Sequence, residues 1–233
     1  MSVTKNTIGV CAILFMLLSL QSCGAKRSPV EQLAARLNDV PEYTIILDDM
    51  QTGGAIFKQY YHKYKVIIGD KANYTGWERT SEPFYRQNEN YLGMALLSKT
   101  EEGYVTKSAS PPGFQYVGNS RYGEWRTDSS GNSFWAFYGQ YMFMSHMFGM
   151  FNRPVYRNDY NTYTEYRNSN RPYYGRNNQF GTNGTITKQT HKNFFERKMA
   201  KQKMAKRSFK DKVGQRIGRS RSPFRSRGGG FGK

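Results

Sequence analysis

Few side chains in this sequence have the types and spacing that catalysis requires. Asp48 and Asp49 could hold a divalent cation or act as an acid and a base. Adjacent residues of a β-strand point to opposite faces of its sheet, so we expect that these two carboxylates do not serve one site. A hydrolase site would require the sheet to bring Asp48, Asp49, His62 and Glu78 together. We therefore predict that the protein is not an enzyme.

The motifs of common cofactor and metal sites are absent from the sequence. It has no GxSxG elbow and no Walker loop, and the three histidines lack the short spacing of a metal site. Four methionines lie in one apolar run, at Met142, Met144, Met147 and Met150. They could bind a soft metal, but methionine is more commonly an adaptable filler of hydrophobic cores. We predict no metal and no cofactor.

Positive charge is concentrated at the C-terminal end of the chain. The formal net charge is +18, and residues 191–233 contain fifteen Lys and Arg against two acidic residues, which gives +13 of that total. Such a segment attracts polyanions. We expect ten of its side chains to bind an anionic surface: Lys198, Lys201, Lys203, Lys206, Arg207, Lys210, Arg219, Arg221, Arg225 and Arg227.

The first 23 residues have the pattern of an export signal. Lys5 supplies a positive n-region, and the apolar run 8–20 has the length of an h-region but is too short for a membrane-spanning helix. The next positions resemble the lipobox of bacterial lipoproteins, with the residues Leu20, Gln21, Ser22 and Cys23. The resemblance implies cleavage before Cys23, a diacylglyceryl group on its thiol and an acyl chain on the new N-terminus.

The cysteine count fits a lipoprotein better than the alternative, a conventional secretory signal followed by an incidental cysteine. Cys11 lies in the segment that would be removed, so Cys23 would have no partner for an internal disulfide. Lipidation uses a thiol that would otherwise be free in an oxidising compartment. Gly24 stands where enteric bacteria place an aspartate for retention at the inner membrane. We predict a membrane-anchored lipoprotein of the cell envelope that faces the periplasm or the exterior, with the outer membrane preferred.

The predicted location outside the cytoplasm limits which polyanions the basic tail can meet. Arg-Ser and Arg-Gly runs with Phe224 and Phe231 resemble flexible RNA-binding tails, but an exported protein does not meet cytoplasmic RNA, so we expect no nucleic acid partner. Lipid head groups, lipopolysaccharide and wall polymers are the anions of the envelope. We predict a non-enzymatic lipoprotein that binds or scaffolds at such a surface. The alternatives are an envelope hydrolase, a solvated tail without a specific partner, and a nucleic-acid-binding protein, which would require the first 23 residues to remain uncleaved in a cytoplasmic product.

Local sequence patterns predict one helix and two hairpins. Ser28 and Glu31 form a capping box, and apolar residues at helical spacing continue to a helix end near Asn38. Strand-forming residues flank the glycine-containing turns 51–54 and 100–103, which predicts two hairpins of a small antiparallel sheet.

The uncharged run 133–151 is the most apolar part of the chain after the signal. A buried or groove-covering helix is the preferred interpretation, and the alternatives are an interfacial helix and a membrane span. Gln140, Ser145 and His146 interrupt the run and argue against a span.

Residues 152–190 are rich in Asn, Tyr, Arg and Gly and have almost no aliphatic side chains. This composition predicts disorder, or an irregular loop held by stacking of Tyr and Arg. An amphipathic helix is possible between Asn193 and Ile217, followed by Gly, Ser and Arg that cannot fold alone.

Together these patterns predict an α+β protein with a small antiparallel sheet, an N-terminal helix and a second apolar helix, followed by a low-complexity or disordered C-terminal region. The predicted segments are a signal peptide (1–22), a lipidated tether (23–27), a small α+β domain (28–151), a Tyr/Asn/Arg-rich spacer (152–190) and a basic, disordered or partly helical tail (191–233).

Overall fold

The computed structural model describes residues 27–54, 56–148 and 153–219, with the side chains of 217–219 excepted. Several predictions fall outside these ranges. They are the signal peptide, the lipidated Cys23 and the basic side chains Arg221, Arg225 and Arg227.

An antiparallel sheet forms the centre of the fold. Its strands are β1 (Tyr43–Gly53), β2 (Gln59–Ile68), β3 (Lys71–Tyr74), β4 (Glu78–Thr80), β5 (Ala95–Lys99) and β6 (Val105–Thr106). Their order is β3-β2-β1-β5-β6, and β4 pairs with β2 beside β3. The β1–β2 and β5–β6 pairs are the two predicted hairpins, which are confirmed.

The described ranges also contain six α-helices, three short 3-10 helices and a small second sheet. The α-helices are α1 (Pro29–Arg36), α2 (Glu82–Asn88), α3 (Met142–Met147), α4 (Arg157–Asn168), α5 (Thr185–Thr190) and α6 (Lys192–Arg219). The second sheet pairs β7 (Gly123–Thr127) with β8 (Ser133–Phe137). The predicted capping box of α1 is present, since Ser28 N donates to Glu31 Oε2 at 2.8 Å and Glu31 N donates to Ser28 Oγ at 3.3 Å. The α+β fold class is confirmed.

The main sheet is covered on both faces. On one face Leu47 and Tyr64 pack with residues of α1, including Val30. On the other face Ile46 and Ile67 pack against aromatic residues from the second half of the chain. The central strand β1 therefore contributes to two cores at once.

The prediction of a single apolar helix in residues 133–151 is wrong for the first part of that run. Residues 133–137 form β8, whose Trp135 packs edge-on against Trp125 of β7 with ring centroids 5.2 Å apart. Backbone hydrogen bonds of this segment run to β7 on one side and to residues 155–156 on the other, where Trp135 N donates to the Val155 carbonyl at 2.9 Å, and alternation buries Trp135 between two partly exposed neighbours. A turn of 3-10 helix (Gly139–Tyr141) and α3 follow β8, and residues 149–151 lie outside the described ranges. In the described part of the chain, no helix combines the length and apolar character needed to cross a bilayer.

The spacer predicted at 152–190 also differs from the structure, because residues 157–168 form helix α4. Tyr163 of α4 is 1% exposed and packs against Phe114 and Tyr173. Tyrosine supplies here the buried area that aliphatic residues supply elsewhere. The predicted stacking of Arg on Tyr is present, with the Arg171 guanidinium 4.5 Å from the ring centroid of Tyr166. The core thus continues past the boundary predicted at residue 151.

Substitution of Tyr163 tests whether α4 belongs to the core. We expect Tyr163→Ala to lower the free energy of unfolding by about 3–5 kcal/mol, as other deletions of buried aromatic side chains do. Tyr163→Phe keeps the ring and should change it by about 1 kcal/mol or less. Tyr104→Ala, at a side chain that is 74% exposed, is the matched control. Denaturant unfolding followed by circular dichroism measures all three, and equal effects of the two alanine variants would contradict the assignment.

Candidate functional site

The predicted basic side chains lie mainly on helix α6. Six of them are exposed there, namely Lys198, Lys201, Lys203, Lys206, Arg207 and Lys210. Arg219 is the last residue of the helix. The helix predicted between Asn193 and Ile217 is therefore confirmed, and it carries eleven Lys and Arg against two acidic residues, a net charge of +9.

The first turns of α6 are fixed to the rest of the protein. Phe194 is 9% exposed and packs in a cluster with Tyr60 and Tyr85. The Arg197 guanidinium forms an ion pair with the Asp49 carboxylate of β1 and donates to both of its oxygens. Charge-assisted hydrogen bonds of this kind are about twice as strong as neutral ones, so this contact orients the helix on the sheet.

The remainder of α6 projects from the body of the protein. Every described side chain from residue 202 to 216 is exposed. Eighteen residues from 202 to 219 extend about 27 Å at the rise of an α-helix. Met199 and Phe209 are 56% and 70% exposed, and together with Val213 they lie within an arc of about 80° on the helix surface, an arc that also contains Lys206. Met204, which is 67% exposed, lies on the opposite side of the helix. The projecting part therefore combines cations on all sides with a narrow apolar strip.

The expectation that Asp48 and Asp49 point to opposite faces of the sheet is wrong. In the register of β1 with β2, Leu47 pairs with Tyr64 and Asp49 pairs with Lys63, and a β-bulge separates the two pairs. The bulge adds one residue to β1, so Asp48 and Asp49 both lie between Leu47 and Met50, which point to the other face. The two carboxylates are therefore on the same side of the sheet. A bulge cannot be recognised from the alternation of residue types in this strand.

The four residues of the alternative hydrolase site are divided between the two faces of the sheet. Glu78 pairs with His62 in the register of β4 with β2, on the face opposite to Asp48 and Asp49. His62 is fully buried, and its Nδ1 lies 3.0 Å from the Tyr64 hydroxyl. Burial lowers the pKa of His62 to about 4. The geometry makes His62 a neutral packing residue and does not assemble the predicted site.

The structure instead brings Asp48 together with residues that the sequence interpretation did not connect to it. Asp48, Lys65 and Tyr74 line a cleft of about 300 Å³, which is closed on the other side by Thr187 of α5 and by His191. Burial raises the pKa of Asp48 and lowers the pKa of Lys65 and of His191. These residues are far apart in the sequence, so no motif could have indicated them. No group of three or more metal-binding side chains occurs within the described ranges.

The pH dependence of stability tests the role assigned to His62. Its pKa is about 4 in the folded protein and near the ordinary value of 6.5 in the unfolded chain. Between these values the unfolded state binds a proton that the folded state does not, so stability is complete above pH 6.5 and falls as the pH decreases towards 4. The total loss due to His62 is about 3 kcal/mol.

The matched variant is His62→Asn, which retains a polar atom near the position of Nδ1 and does not titrate. The difference in unfolding free energy between the wild type and His62→Asn should change by about 3 kcal/mol across this interval, since other groups cancel. Urea denaturation at a series of pH values gives this difference. A constant difference would show that folding does not shift the pKa of His62.

Comparison with known proteins does not indicate a function for helix α6 or for the cleft around Asp48. No protein-family model, no curated protein and no solved structure shows significant similarity to the chain. The functional conclusion therefore depends on the geometry and charge of helix α6 and of the cleft.

Proposed function

We propose that the protein is a non-enzymatic lipoprotein of the cell envelope that binds an anionic membrane surface through helix α6. The observation that carries this proposal is the projecting part of α6, which presents a net positive charge and an exposed apolar strip away from the body. A lipid on Cys23 is the second membrane contact of the proposal, and the lipobox supports it.

The positions of the two contacts support their joint use. Ser28, which follows the proposed tether, lines one cleft together with Arg79 and Thr80. Arg197 of α6 lies over the ring of Trp77, 6.0 Å from its centroid. Trp77 and Thr80 are three residues apart, about 10 Å along an extended chain. Ser28, where the proposed tether joins the body, and Arg197, in the first turns of α6, therefore both lie near residues 77–80.

The length of the tether supports the same arrangement. Ser28 is five positions after Cys23, so a lipid on Cys23 holds the start of α1 within about 17 Å of the membrane. The Debye length at physiological ionic strength is about 8 Å, and cations must approach to this order of distance to feel the surface charge. Anchoring also raises the effective concentration of α6 at the membrane.

The apolar strip favours lipid over a polysaccharide or wall polymer as the binding partner. Met199, Phe209 and Val213 can be buried at the boundary of head groups and acyl chains while Lys side chains extend towards the phosphates. A hydrophilic polymer would leave this strip in water. The proposal therefore names anionic lipid as the surface that α6 binds.

Binding to vesicles tests the role of α6 without the lipid anchor. The chain from Gly24 onward contains every described residue and no cysteine. We expect it to sediment with phosphatidylglycerol vesicles in a salt-dependent manner and not with phosphatidylcholine vesicles. Replacing four cations of α6 with Gln, at Lys203, Lys206, Arg207 and Lys210, should weaken binding at least tenfold, since each contributes about 1 kcal/mol.

The matched control removes the same charge from exposed positions outside α6, at Arg36, Lys58, Lys71 and Lys107. It should retain most of the binding. Phe209→Gln should weaken binding to vesicles but not to a soluble anionic polysaccharide. Equal binding by the two charge variants would reject α6 as the contact, and unchanged vesicle binding by Phe209→Gln would indicate a polymer rather than lipid.

Intact-mass measurement of the protein from bacterial membranes tests the anchor. We expect a mature chain that begins at Cys23 and carries the mass of a diacylglyceryl group and an acyl chain. Cys23→Ala should leave the precursor uncleaved and without lipid, while Cys11→Ala, the control for the other cysteine, should be processed normally. A mature chain without lipid, or one that begins at another residue, would contradict the lipoprotein assignment.

A further inference from the structure

The cleft beside β1 contains charged groups that form no hydrogen bond or ion pair with other residues of the described ranges. Asp48 forms no hydrogen bond or ion pair with another described residue, although it is half-buried. Lys65, which is also half-buried, likewise has neither kind of partner in the described ranges. Charged groups that lose water without gaining a partner are costly, so an arrangement of this kind is typical of binding sites rather than of structural cores.

The register of the sheet places the two opposite charges on the same side, as diagonal neighbours. Lys65 stands directly opposite Ile46, and Asp48 lies further along β1 on the same side. Diagonal neighbours in antiparallel strands are about 7–8 Å apart at their Cα atoms. The carboxylate and the ammonium thus line one cleft and influence each other's pKa without an ion pair between them.

His191 adds a second hydrogen-bond acceptor beside Asp48. The Thr190 hydroxyl donates to the Ile186 carbonyl at 3.0 Å, and its oxygen lies 2.8 Å from His191 Nδ1. Because the hydroxyl hydrogen is already used, Nδ1 of the neutral imidazole donates to this oxygen, and Nε2 is left as an acceptor. Nε2 has no hydrogen bond to a residue of the described ranges. An acceptor and a carboxylate together suit a primary ammonium group, which has three N–H donors.

Gly93 allows His191 to approach the sheet this closely. Its φ is +75°, and a Cβ at this position would lie 3.0 Å from His191 Cε1 and 3.3 Å from Thr187 Oγ1. Phe180 and Ile186 add apolar surface to the lining of the cleft, which also includes Arg153 and His146. The cleft therefore has an acceptor pair, two cations in Lys65 and Arg153, and apolar side chains in its lining.

We propose that this cleft binds a small zwitterion, with the ligand's ammonium group at Asp48 and His191, its acid group at Lys65 and a short apolar substituent against Phe180 and Ile186. Free α-amino acids and the phosphoethanolamine head group share this chemistry. The site is separate from the membrane contact of α6 and does not depend on it.

Calorimetric titration of the full mature protein in detergent micelles tests the proposal. The probes are L-leucine and O-phosphoethanolamine, together with isoamylamine and 4-methylpentanoate, which each keep only one charge of leucine. We expect at least one zwitterion to bind about tenfold more tightly, or better, than either singly charged compound. Preference for L-leucine would identify a free amino acid as the ligand, and preference for O-phosphoethanolamine would identify a lipid head group.

Two substitutions and two controls connect the binding to the cleft. Asp48→Asn and Lys65→Met should each weaken zwitterion binding about tenfold or more. Asp39→Asn and Lys71→Met remove the same charges from exposed positions outside the cleft and should bind as the wild type does. Asp48→Asn should unfold at a temperature no lower than the wild type, which shows that its loss of binding is not a loss of folding. If neither zwitterion binds below about 10 mM, or if the cleft variants bind as the controls do, the proposal is overturned.

Discussion

The extra residue in β1 between Leu47 and Asp49 places two carboxylates on the same side of the central sheet, and both candidate functional regions are built around them. Asp49 receives Arg197 and so fixes the base of α6, while Asp48 faces the cleft with Lys65 and His191. A regular strand would have turned one of these side chains into the core that α1 covers, at the cost of a buried charge. The bulge thus gives β1 two adjacent carboxylates with different roles. Asp49 holds α6 through Arg197, and Asp48 has no ion pair with a residue of the described ranges.

The second half of the chain shows how a fold can be completed with few aliphatic residues. Tyr116, Tyr122 and Tyr163 are almost fully buried in one cluster with Phe114 and Trp135. Their hydroxyls bring polar atoms into the core, and some find partners there, as Tyr116 does at 3.1 Å from Thr44 Oγ1. Aromatic rings supply large buried areas with few rotatable bonds, which offsets part of the entropy lost on ordering a Gly- and Asn-rich chain.

Sequence reasoning succeeded where the determining interactions are local. The capping box at Ser28 and the turns at 51–54 and 100–103 are set by neighbouring residues, and the helix at α6 follows from its own spacing. It failed where distant partners decide the structure. Trp135 is in a strand because β7 is beside it, and Tyr163 is ordered because Phe114 and Tyr173 surround it. The charge of α6 could be predicted because it follows from residues that are adjacent in the sequence. The proximity of Asp48, Lys65 and His191 could not be predicted, because it depends on the tertiary fold.

The charge of helix α6 has a consequence for the helix itself. Lys203 and Arg207, Lys206 and Lys210, and Lys212 and Arg216 are like charges one turn apart, a spacing at which they repel each other across the helix surface. Beyond Lys201 no described contact with the body offsets this repulsion. If α6 binds an anionic surface as proposed, the anions of that surface offset this repulsion and favour the helical conformation that they bind. Helix formation and surface binding would then be coupled, and the helical fraction of the projecting part would rise with the local concentration of anionic charge.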